Sequence, residues 1–165
     1  MQIEIRKAAI EDAEAIAEVQ SRSWEAAYAG IVPAETIARK NAGRRERWRK
    51  NLSAPSRFTT WAAVLEGRVV GFMSLALPED EDLDERYYEL CAIYLHPDVF
   101  RRGMGRRMAE YAFDLAREAG KSRMAVYVLE ANAAARGFYE ACGFRPDGKV
   151  AEAAVGTTLR YIREV

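Results

Sequence analysis

The stretch that decides the fold is "YYELCAIYLHPDVFRRGMGRRMAEYAFDLAREAGKSRMAVYVL", residues 87–129. It opens and closes with the apolar runs "YYELCAIYL" and "RMAVYVL", which have the length and composition of buried strands. Between them lie a loop with two glycines and a helical pattern that ends at Gly120. Two strands connected through a helix pair in parallel with a right-handed crossover, so the stretch predicts one parallel strand pair.

The segments before this stretch predict a strand, two helices and a hairpin. "IEIR" alternates apolar and polar residues, as a strand does, and apolar residues at helical spacing then predict a helix from about Asp12 to Tyr28. Gly30 and Pro33 frame a turn, and a second helix begins at Pro33 and runs into "RKNAGRRERWRKN". The apolar runs "FTTWAAVL" and "VVGFMSLAL", joined by "EGR", predict an antiparallel hairpin.

The segments after residue 129 complete the predicted fold. A helix runs from Asn132 to Cys142 and is closed by Gly143, and two strands follow around residues 144–150 and 157–165. We therefore expect a mixed α/β fold, with a single, mostly antiparallel sheet that contains one central parallel pair and is flanked by about four helices. The 165 residues show no linker or repeat, so we expect one domain over residues 1–165.

Composition and charge narrow the class of protein. The chain has 25 basic and 25 acidic residues, and this balance argues against nucleic acid or an anionic membrane as partner. No apolar run approaches the roughly 18 residues that a membrane span needs. The N-terminal residues lack the layout of a secretion signal, and two cysteines suit a reducing compartment. We expect a cytoplasmic protein.

The histidine and cysteine content excludes several kinds of site. His96 is the only histidine and the two cysteines are far apart, so we expect no metal site. A catalytic triad would have to use His96, but this residue precedes Pro97 at the end of a predicted strand and is better interpreted as a loop residue.

The loop "RRGMGRR", residues 101–107, has the features of a phosphate site at the start of a helix. A helix start offers backbone N–H groups and a partial positive charge. Glycines allow a phosphate close to the main chain, and arginines add charge. A pyrophosphate is our hypothesis. Arg106 and Arg107 exclude a Walker loop, and Met108 replaces the third glycine of the dinucleotide fingerprint. A glycine-rich turn beside a solvated basic helix face is the alternative.

Two motifs resemble the GNAT superfamily of N-acetyltransferases. "EANAAARGFYEACGF", residues 130–144, is similar to its N-x-x-A-x-x-F-Y-x-x-x-G-F stretch, and "LHPDVFRRGMGRRM", residues 95–108, to its acetyl-CoA loop. Both occur in the order and at the spacing of that family, and "SWEAAYAGIVP" resembles many bacterial members. The resemblance covers essentially the whole chain and implies a GNAT-like fold that uses acetyl-CoA as co-substrate.

The resemblance also implies where the cofactor binds. The end of the third predicted strand, from Ile93 through Tyr94 to Leu95, corresponds to the main-chain edge that pairs with the pantetheine arm. Asn132 corresponds to an asparagine that contacts the cofactor, although it also suits a helix cap. The pyrophosphate cradle corresponds to Arg101, Arg102, Gly103, Met104, Gly105 and Arg106.

Two catalytic roles follow from the same resemblance. Tyr139 corresponds to the tyrosine that protonates the leaving thiolate, and Glu89 to a glutamate that acts as base through water. Each residue has a structural alternative, since Tyr139 suits packing on the sheet and Glu89 suits the solvent side of a strand. The chain departs from the family at Phe100, where a glutamine or arginine is usual, and at Tyr127, where some members carry a glutamate base.

The resemblance predicts an N-acetyltransferase that moves an acetyl group from acetyl-CoA directly to a primary amine of a small molecule or peptide. A non-catalytic acyl-CoA-binding sensor is the alternative, and nucleic-acid binding through "RRERWRK" is a third hypothesis. The family shapes its acceptor site with residues that correspond to Trp24, Tyr28 and the acidic turn "PEDEDLDER", residues 78–86. An aminoglycoside, a polyamine, an amino acid and a protein N-terminus all stay open as acceptors, as does a homodimer.

Overall fold

The structure is a computed structural model that describes residues 2–165. The described chain contains seven strands and five α-helices, one helix more than the sequence predicted, and the order of the other elements is the predicted one. Their bounds are β1 Glu4–Lys7, α1 Ala13–Ala27, α2 Ala34–Asn41, α3 Arg44–Ser53, β2 Thr59–Leu65, β3 Arg68–Ala76, β4 Tyr87–Leu95, α4 Met104–Glu118, β5 Arg123–Leu129, α5 Ala133–Ala141, β6 Arg145–Ala153 and β7 Gly156–Glu164.

The strands form one mixed sheet, in the order β1-β2-β3-β4-β5-β7-β6. β4 and β5 are parallel, and Tyr87 pairs with Arg123 at the start of their ladder. β1 pairs antiparallel with β2, and β7 pairs antiparallel with both β5 and β6. The predicted fold class is therefore confirmed, including the parallel pair that the strand–helix–strand pattern indicated.

The predicted second helix is divided in two. α2 ends at Asn41 and α3 begins at Arg44, because Gly43 between them adopts a left-handed conformation with φ of 75°. A glycine adopts that conformation at little cost, whereas continuing a helix requires negative φ. The prediction of one continuous helix followed the helix-favouring residues on both sides, although glycine is the residue type that most often ends a helix.

The chain divides into two compact units. The first comprises the residues up to Ser74 together with Ala92–Met108, and the second comprises Leu75–Cys91 and Ala109–Val165. The expectation of a single domain stays a prediction.

The core of the first unit contains Trp48, which the nucleic-acid hypothesis required on the surface. Its ring centroid lies 5.0 Å from that of Phe72, and its indole N–H donates to Gln20 Oε1 at 2.8 Å. α1 contributes Ile16 and Val19 to the same cluster. Trp48 is buried by these contacts and does not present its face for stacking on a base.

The second unit is organised around Phe113 of α4 and Phe144, whose ring centroids are 5.8 Å apart. The guanidinium carbon of Arg163 lies 4.0 Å from the centroid of the Phe113 ring, and its Nη1 donates to the carbonyl of Cys142. The same side chain therefore covers the aromatic core and satisfies a carbonyl at the C-terminal end of α5.

Three findings concern membrane spans, metal sites and disulfides. None of the helices between residues 2 and 165 has the length and apolar content needed to cross a bilayer. Within the same residues, no group of three or more histidine, cysteine, aspartate and glutamate side chains is arranged to hold a metal ion. Neither Cys91 nor Cys142 forms a disulfide among the described residues, and Cys142 is buried.

Candidate active site

β4 extends beyond its ladder with β5, over the residues that the resemblance assigns to the pantetheine arm. The ladder between β4 and β5 joins three residue pairs and ends where Glu89 meets Ala125, whereas β4 continues to Leu95. The main-chain N–H of His96 donates to the carbonyl of Val70 in β3 at 2.7 Å. A strand that continues past its ladder can pair its main chain with an extended ligand.

His96 terminates β4 and holds the turn that follows. Its side chain is buried, and its Nδ1 accepts a hydrogen bond from the main-chain N–H of Asp98 at 3.2 Å. Because Nδ1 accepts, the neutral ring carries its proton on Nε2. Pro97 begins the short 3-10 turn Pro97–Val99. The structure thus gives His96 a local structural role, in agreement with its interpretation as a loop residue.

The loop before α4 is shaped by two residues in the left-handed region. Arg101 has φ of 64° and Gly103 has φ of 75°. α4 begins at Met104, and the main-chain N–H of Arg107 donates to the carbonyl of Gly103. Gly105 lies inside the first helical turn, so of the two glycines only Gly103 is needed for the direction of the chain.

An anion fits the start of α4. The first turn of a helix has N–H groups without intrahelical acceptors, here those of Met104 and Gly105, and it carries partial positive charge. Met104 is buried and fixes the helix in the core, while Arg101, Arg102 and Arg106 are exposed. A Cβ added at Gly103 would meet no atom within 4 Å, so the main chain is open to a ligand there.

Gly71 of β3 sets the spacing between β3 and the end of β4. A Cβ at this position would lie 2.7 Å from Leu95 Cδ2 and 2.9 Å from the carbonyl oxygen of Tyr94. The Leu95 side chain can rotate, but the Tyr94 carbonyl belongs to the strand and cannot move alone. A side chain here would therefore displace the main chain at the end of β4, which the resemblance predicts to bind the cofactor.

We expect Gly71→Ala to lower the free energy of unfolding by about 1–3 kcal/mol, as overpacking does in cores. Urea denaturation measures this change. Gly137→Ala is the matched control, because a Cβ there meets nothing within 4 Å inside α5. Since alanine favours helix over glycine, the control should gain roughly 0.5–1 kcal/mol. Equal effects of the two substitutions would contradict our account of Gly71.

Two of the predicted site residues in the second unit lie in α5 or directly before it. Asn132 precedes the helix, and its Oδ1 accepts a hydrogen bond from the main-chain N–H of Ala135 at 3.1 Å. This cap uses only the amide oxygen, so the amide nitrogen keeps its donors for another partner. Tyr139 lies in the helix and is buried, with its ring centroid 5.3 Å from Phe138 and 5.7 Å from Phe144.

Glu89 is the predicted base, and it lies in β4 of the second unit. It pairs with Ala125 of β5 and is half-buried. Its carbonyl accepts a long contact from the Cys91 thiol at 3.7 Å. β4 thus carries Glu89 at the last position that pairs with β5, and it carries Ile93, Tyr94 and Leu95 at its end.

The sequence did not predict a network of hydrogen bonds and ion pairs around Arg160. Arg160 of β7 is buried, and its guanidinium forms a two-bond fork with Asp82 at 2.8 and 2.7 Å. It also donates to Asp80 and to Asp147, each at 2.8 Å. Tyr127 donates its hydroxyl hydrogen to Asp80. Because Asp80 and Asp82 belong to the acidic turn, these hydrogen bonds attach that turn to the sheet.

The network changes the acidity of its members. The hydrogen bond from Arg160 lowers the pKa of Asp82 to about 2. Burial, followed by the hydrogen bond to Asp80, raises the pKa of Tyr127 to about 12. Tyr127 occupies the position where some GNAT members carry a base, and its hydroxyl is fully protonated at neutral pH.

No local pattern in the sequence indicated a role for Arg160, because its partners lie far away in the sequence.

Comparison with known proteins identifies the family. A model described as the Acetyltransferase (GNAT) family matches residues 14–144 of the chain. The chain belongs to the GNAT family. Membership confirms the resemblance given by the two motifs, and it confirms the prediction of an acyltransferase.

Individual GNAT relatives extend along most of the chain. The spermidine N(1)-acetyltransferase of Thermoplasma acidophilum is 27% identical over 150 residues, which cover 88% of this chain and 89% of that protein. The uncharacterized N-acetyltransferase YuaI of Bacillus subtilis is 33% identical over 132 residues, covering 79% and 73%. The crystal structure of the PaiA N-acetyltransferase from T. acidophilum in complex with coenzyme A shares the fold, with a TM-score of 0.80, 24% identity and coverage of 97% and 98%.

Proposed function

We propose that this GNAT protein transfers the acetyl group of acetyl-CoA to the primary amine of a small molecule or peptide. The observation that carries the proposal is the order of three structural elements at the end of β4. The strand continues past its ladder, a loop with left-handed Arg101 and Gly103 follows, and α4 begins immediately after it. These parts suit an extended arm that ends in a pyrophosphate.

Acetyl-CoA is the donor, in keeping with family membership and with the coenzyme A bound to the T. acidophilum PaiA protein. In our proposal, the main chain of Ile93–Leu95 pairs with the pantetheine arm. The N–H groups of Met104 and Gly105 and the arginines around them hold the pyrophosphate. Asn132 contacts the cofactor through the amide nitrogen that its cap leaves available.

The chemistry requires two proton transfers, which we assign to Glu89 and Tyr139. An acceptor amine with a pKa like that of lysine, about 10.4, is mostly protonated at neutral pH and has to lose a proton before it attacks. Glu89 accepts this proton through water. Acetyl-CoA supplies a thioester whose carbonyl carbon the amine attacks, giving an amide and a thiol. The Tyr139 hydroxyl supplies the proton that the departing sulfur takes up.

Measuring thiol release tests the proposed function. The protein is incubated with acetyl-CoA and a panel of amines that includes spermidine, amino acids, an aminoglycoside and a peptide with a free N-terminus. We expect turnover with at least one amine and saturable association with coenzyme A by calorimetry. Coenzyme A binding without turnover on any amine would favour the sensor hypothesis. No association at millimolar coenzyme A would contradict both.

We expect Glu89→Gln to lower kcat/KM by about 100-fold near pH 6.5 and by much less near pH 9. The dependence on pH follows because the base matters most where the amine is mostly protonated. Initial rates of thiol release across this range provide the measurement. Glu118→Gln, a change of the same kind at an exposed position of α4, is the control and should leave the profile unchanged. A loss that is constant across the pH range would rule out the base role.

A cytoplasmic location stays a prediction from the sequence. The proposed acceptor is an amine of a small molecule or peptide, and side chains of the first unit favour a narrower class of acceptor.

A further inference from the structure

Arg44, the first residue of α3, carries a buried guanidinium that is only partly satisfied. The residue is 7% exposed, and its Nε donates to Asn41 Oδ1 at 2.8 Å. Its Nη2 is buried and has no hydrogen-bond partner among residues 2–165. A buried charged donor without an acceptor is costly, so its retention requires an explanation.

The other arginines of α3 do not share this situation. Arg45 pairs with Glu14 at 3.3 Å, and Arg47 donates to main-chain carbonyls at 2.9 and 2.6 Å. In contrast, Nη2 of Arg44 has no hydrogen-bond acceptor among the described residues. Burial, the largest influence, lowers the pKa of Arg44. An arginine nevertheless stays charged at physiological pH.

Aromatic contacts connect Arg44 to the end of β4. Its guanidinium carbon lies 4.8 Å from the ring centroid of Trp24. The Trp24 indole N–H donates to the Tyr94 hydroxyl at 3.3 Å, and the Trp24 and Tyr28 rings meet edge to face with centroids 4.8 Å apart. All three rings are half-buried. The Arg44 guanidinium therefore lies beside an aromatic cluster that includes Tyr94, a residue of the strand that we assign to the pantetheine arm.

We propose that Arg44 binds a carboxylate of the acceptor, so that the substrate is an amino-acid-like amine rather than a polyamine. The inference rests on the proposed function, in which Tyr94 flanks the acetyl donor. A guanidinium matches a carboxylate with two parallel hydrogen bonds, and Nη2 supplies a donor for this fork. Nη2 is enclosed by the chain. A carboxylate therefore reaches it only when the neighbouring rings move slightly.

The charge of the cluster supports this choice among the acceptors. A fixed cation beside Trp24 and Tyr28 attracts an anionic group and repels a second ammonium group, as a polyamine would bring. The ring faces offer apolar surface to the body of a substrate. An amine that also carries a carboxylate satisfies the guanidinium and gains contact with the rings.

The experiment compares matched acceptor pairs in the wild-type protein and in Arg44→Gln. Each pair is an amino acid and its own α-amide, which differ in the carboxylate, and kcat/KM is measured by thiol release. The two amines of a pair differ in pKa, but this difference is the same for both proteins and cancels when the acid-to-amide ratios are compared. We expect the ratio to be about 10- to 100-fold higher in the wild type, the effect of one charge-assisted interaction.

Arg44→Lys and a binding measurement separate this specific role from a structural one. The lysine keeps the charge without the fork, so its acid-to-amide ratio should be intermediate. Thermal unfolding with coenzyme A and each amino acid provides a second readout that does not need turnover, and stabilisation is expected in the wild type but not in Arg44→Gln. If Arg44→Gln does not fold, the acid-to-amide ratio of the wild type is compared with that of Arg44→Lys, and this comparison tests the proposal.

Three results would overturn the proposal. One is an acid-to-amide ratio that is equal in the wild type and Arg44→Gln. Another is turnover of spermidine with no amino acid accepted, which would leave the acetyltransferase function intact and remove only this inference. The third is a lack of both turnover and amino-acid-dependent stabilisation in the wild type, despite coenzyme A binding.

Discussion

Replacing Tyr139 with phenylalanine is expected to lower kcat by at least about 100-fold, since a general acid typically contributes 10²- to 10⁴-fold. The substitution removes only the hydroxyl group, and the ring keeps its contacts with Phe138 and Phe144. Folding and coenzyme A binding should therefore persist. Thiol-release kinetics at saturating acetyl-CoA measure kcat, and calorimetry measures coenzyme A binding in the same preparation.

Tyr161→Phe provides the matched control for this substitution. Tyr161 of β7 is also buried in the second unit, and its hydroxyl donates to Glu140 Oε1 at 3.2 Å. Its loss should cost about 1 kcal/mol of stability, as for an ordinary hydrogen bond, and leave kcat within about twofold. A Tyr139→Phe protein as active as Tyr161→Phe would remove the acid assignment and leave Tyr139 as a packing residue.

Arg160→Met is expected to lower the free energy of unfolding by about 3 kcal/mol or more. The Arg160 side chain is 6% exposed, and its removal leaves Asp80 and Asp147 partly buried without their cation. Removing one partner of a buried ion pair costs about 3–5 kcal/mol, and the low end applies here because Asp82 is half-exposed. Urea denaturation at neutral pH measures the loss. Arg117→Met, which breaks an exposed pair with Asp114, should cost less than about 1 kcal/mol.

The dependence of this loss on pH provides an independent check. The pKa of Asp82 is about 2 in the folded protein, below its ordinary value of 3.8. The stabilisation linked to this shift is present above about pH 4 and disappears as the pH falls through about 2. Arg160→Met removes the cause of the shift. The difference in stability between the wild type and Arg160→Met should therefore shrink from pH 5 to pH 2. A difference that stays constant over this range would contradict the assignment.

Local patterns predicted the elements that position the site. β4 and β5 have the predicted bounds, 87–95 and 123–129, because each is a continuous apolar run with turn residues beside it. The helix before Gly143 was also predicted, and Asn132 caps it as its residue type suggested. The second helix failed as a continuous element because one left-handed glycine, Gly43, interrupts residues that otherwise favour helix.

The side-chain environment of the site could not be predicted in the same way. Asp80 and Arg160 are hydrogen-bonded although they are 80 positions apart in the sequence. Trp24 and Tyr94 are hydrogen-bonded although they are 70 positions apart. The local sequence shows an acidic turn and a basic helix that carries a tryptophan, but it does not show what these segments contact. The structure instead fixes the turn to Arg160 and buries Trp48. Neither contact leaves a periodic or spacing signal in the sequence.

The sequence by itself determined the family, the order of the elements and the strand–loop–helix unit proposed for coenzyme A, because these depend on local periodicity and on motifs within short segments. Only the tertiary structure decided which charges are paired. It showed Arg160 surrounded by carboxylates and Arg44 with a buried donor that no residue of the described chain satisfies. The physical reason is that burial and pairing depend on segments distant in sequence, and these factors determine what a charged side chain can bind.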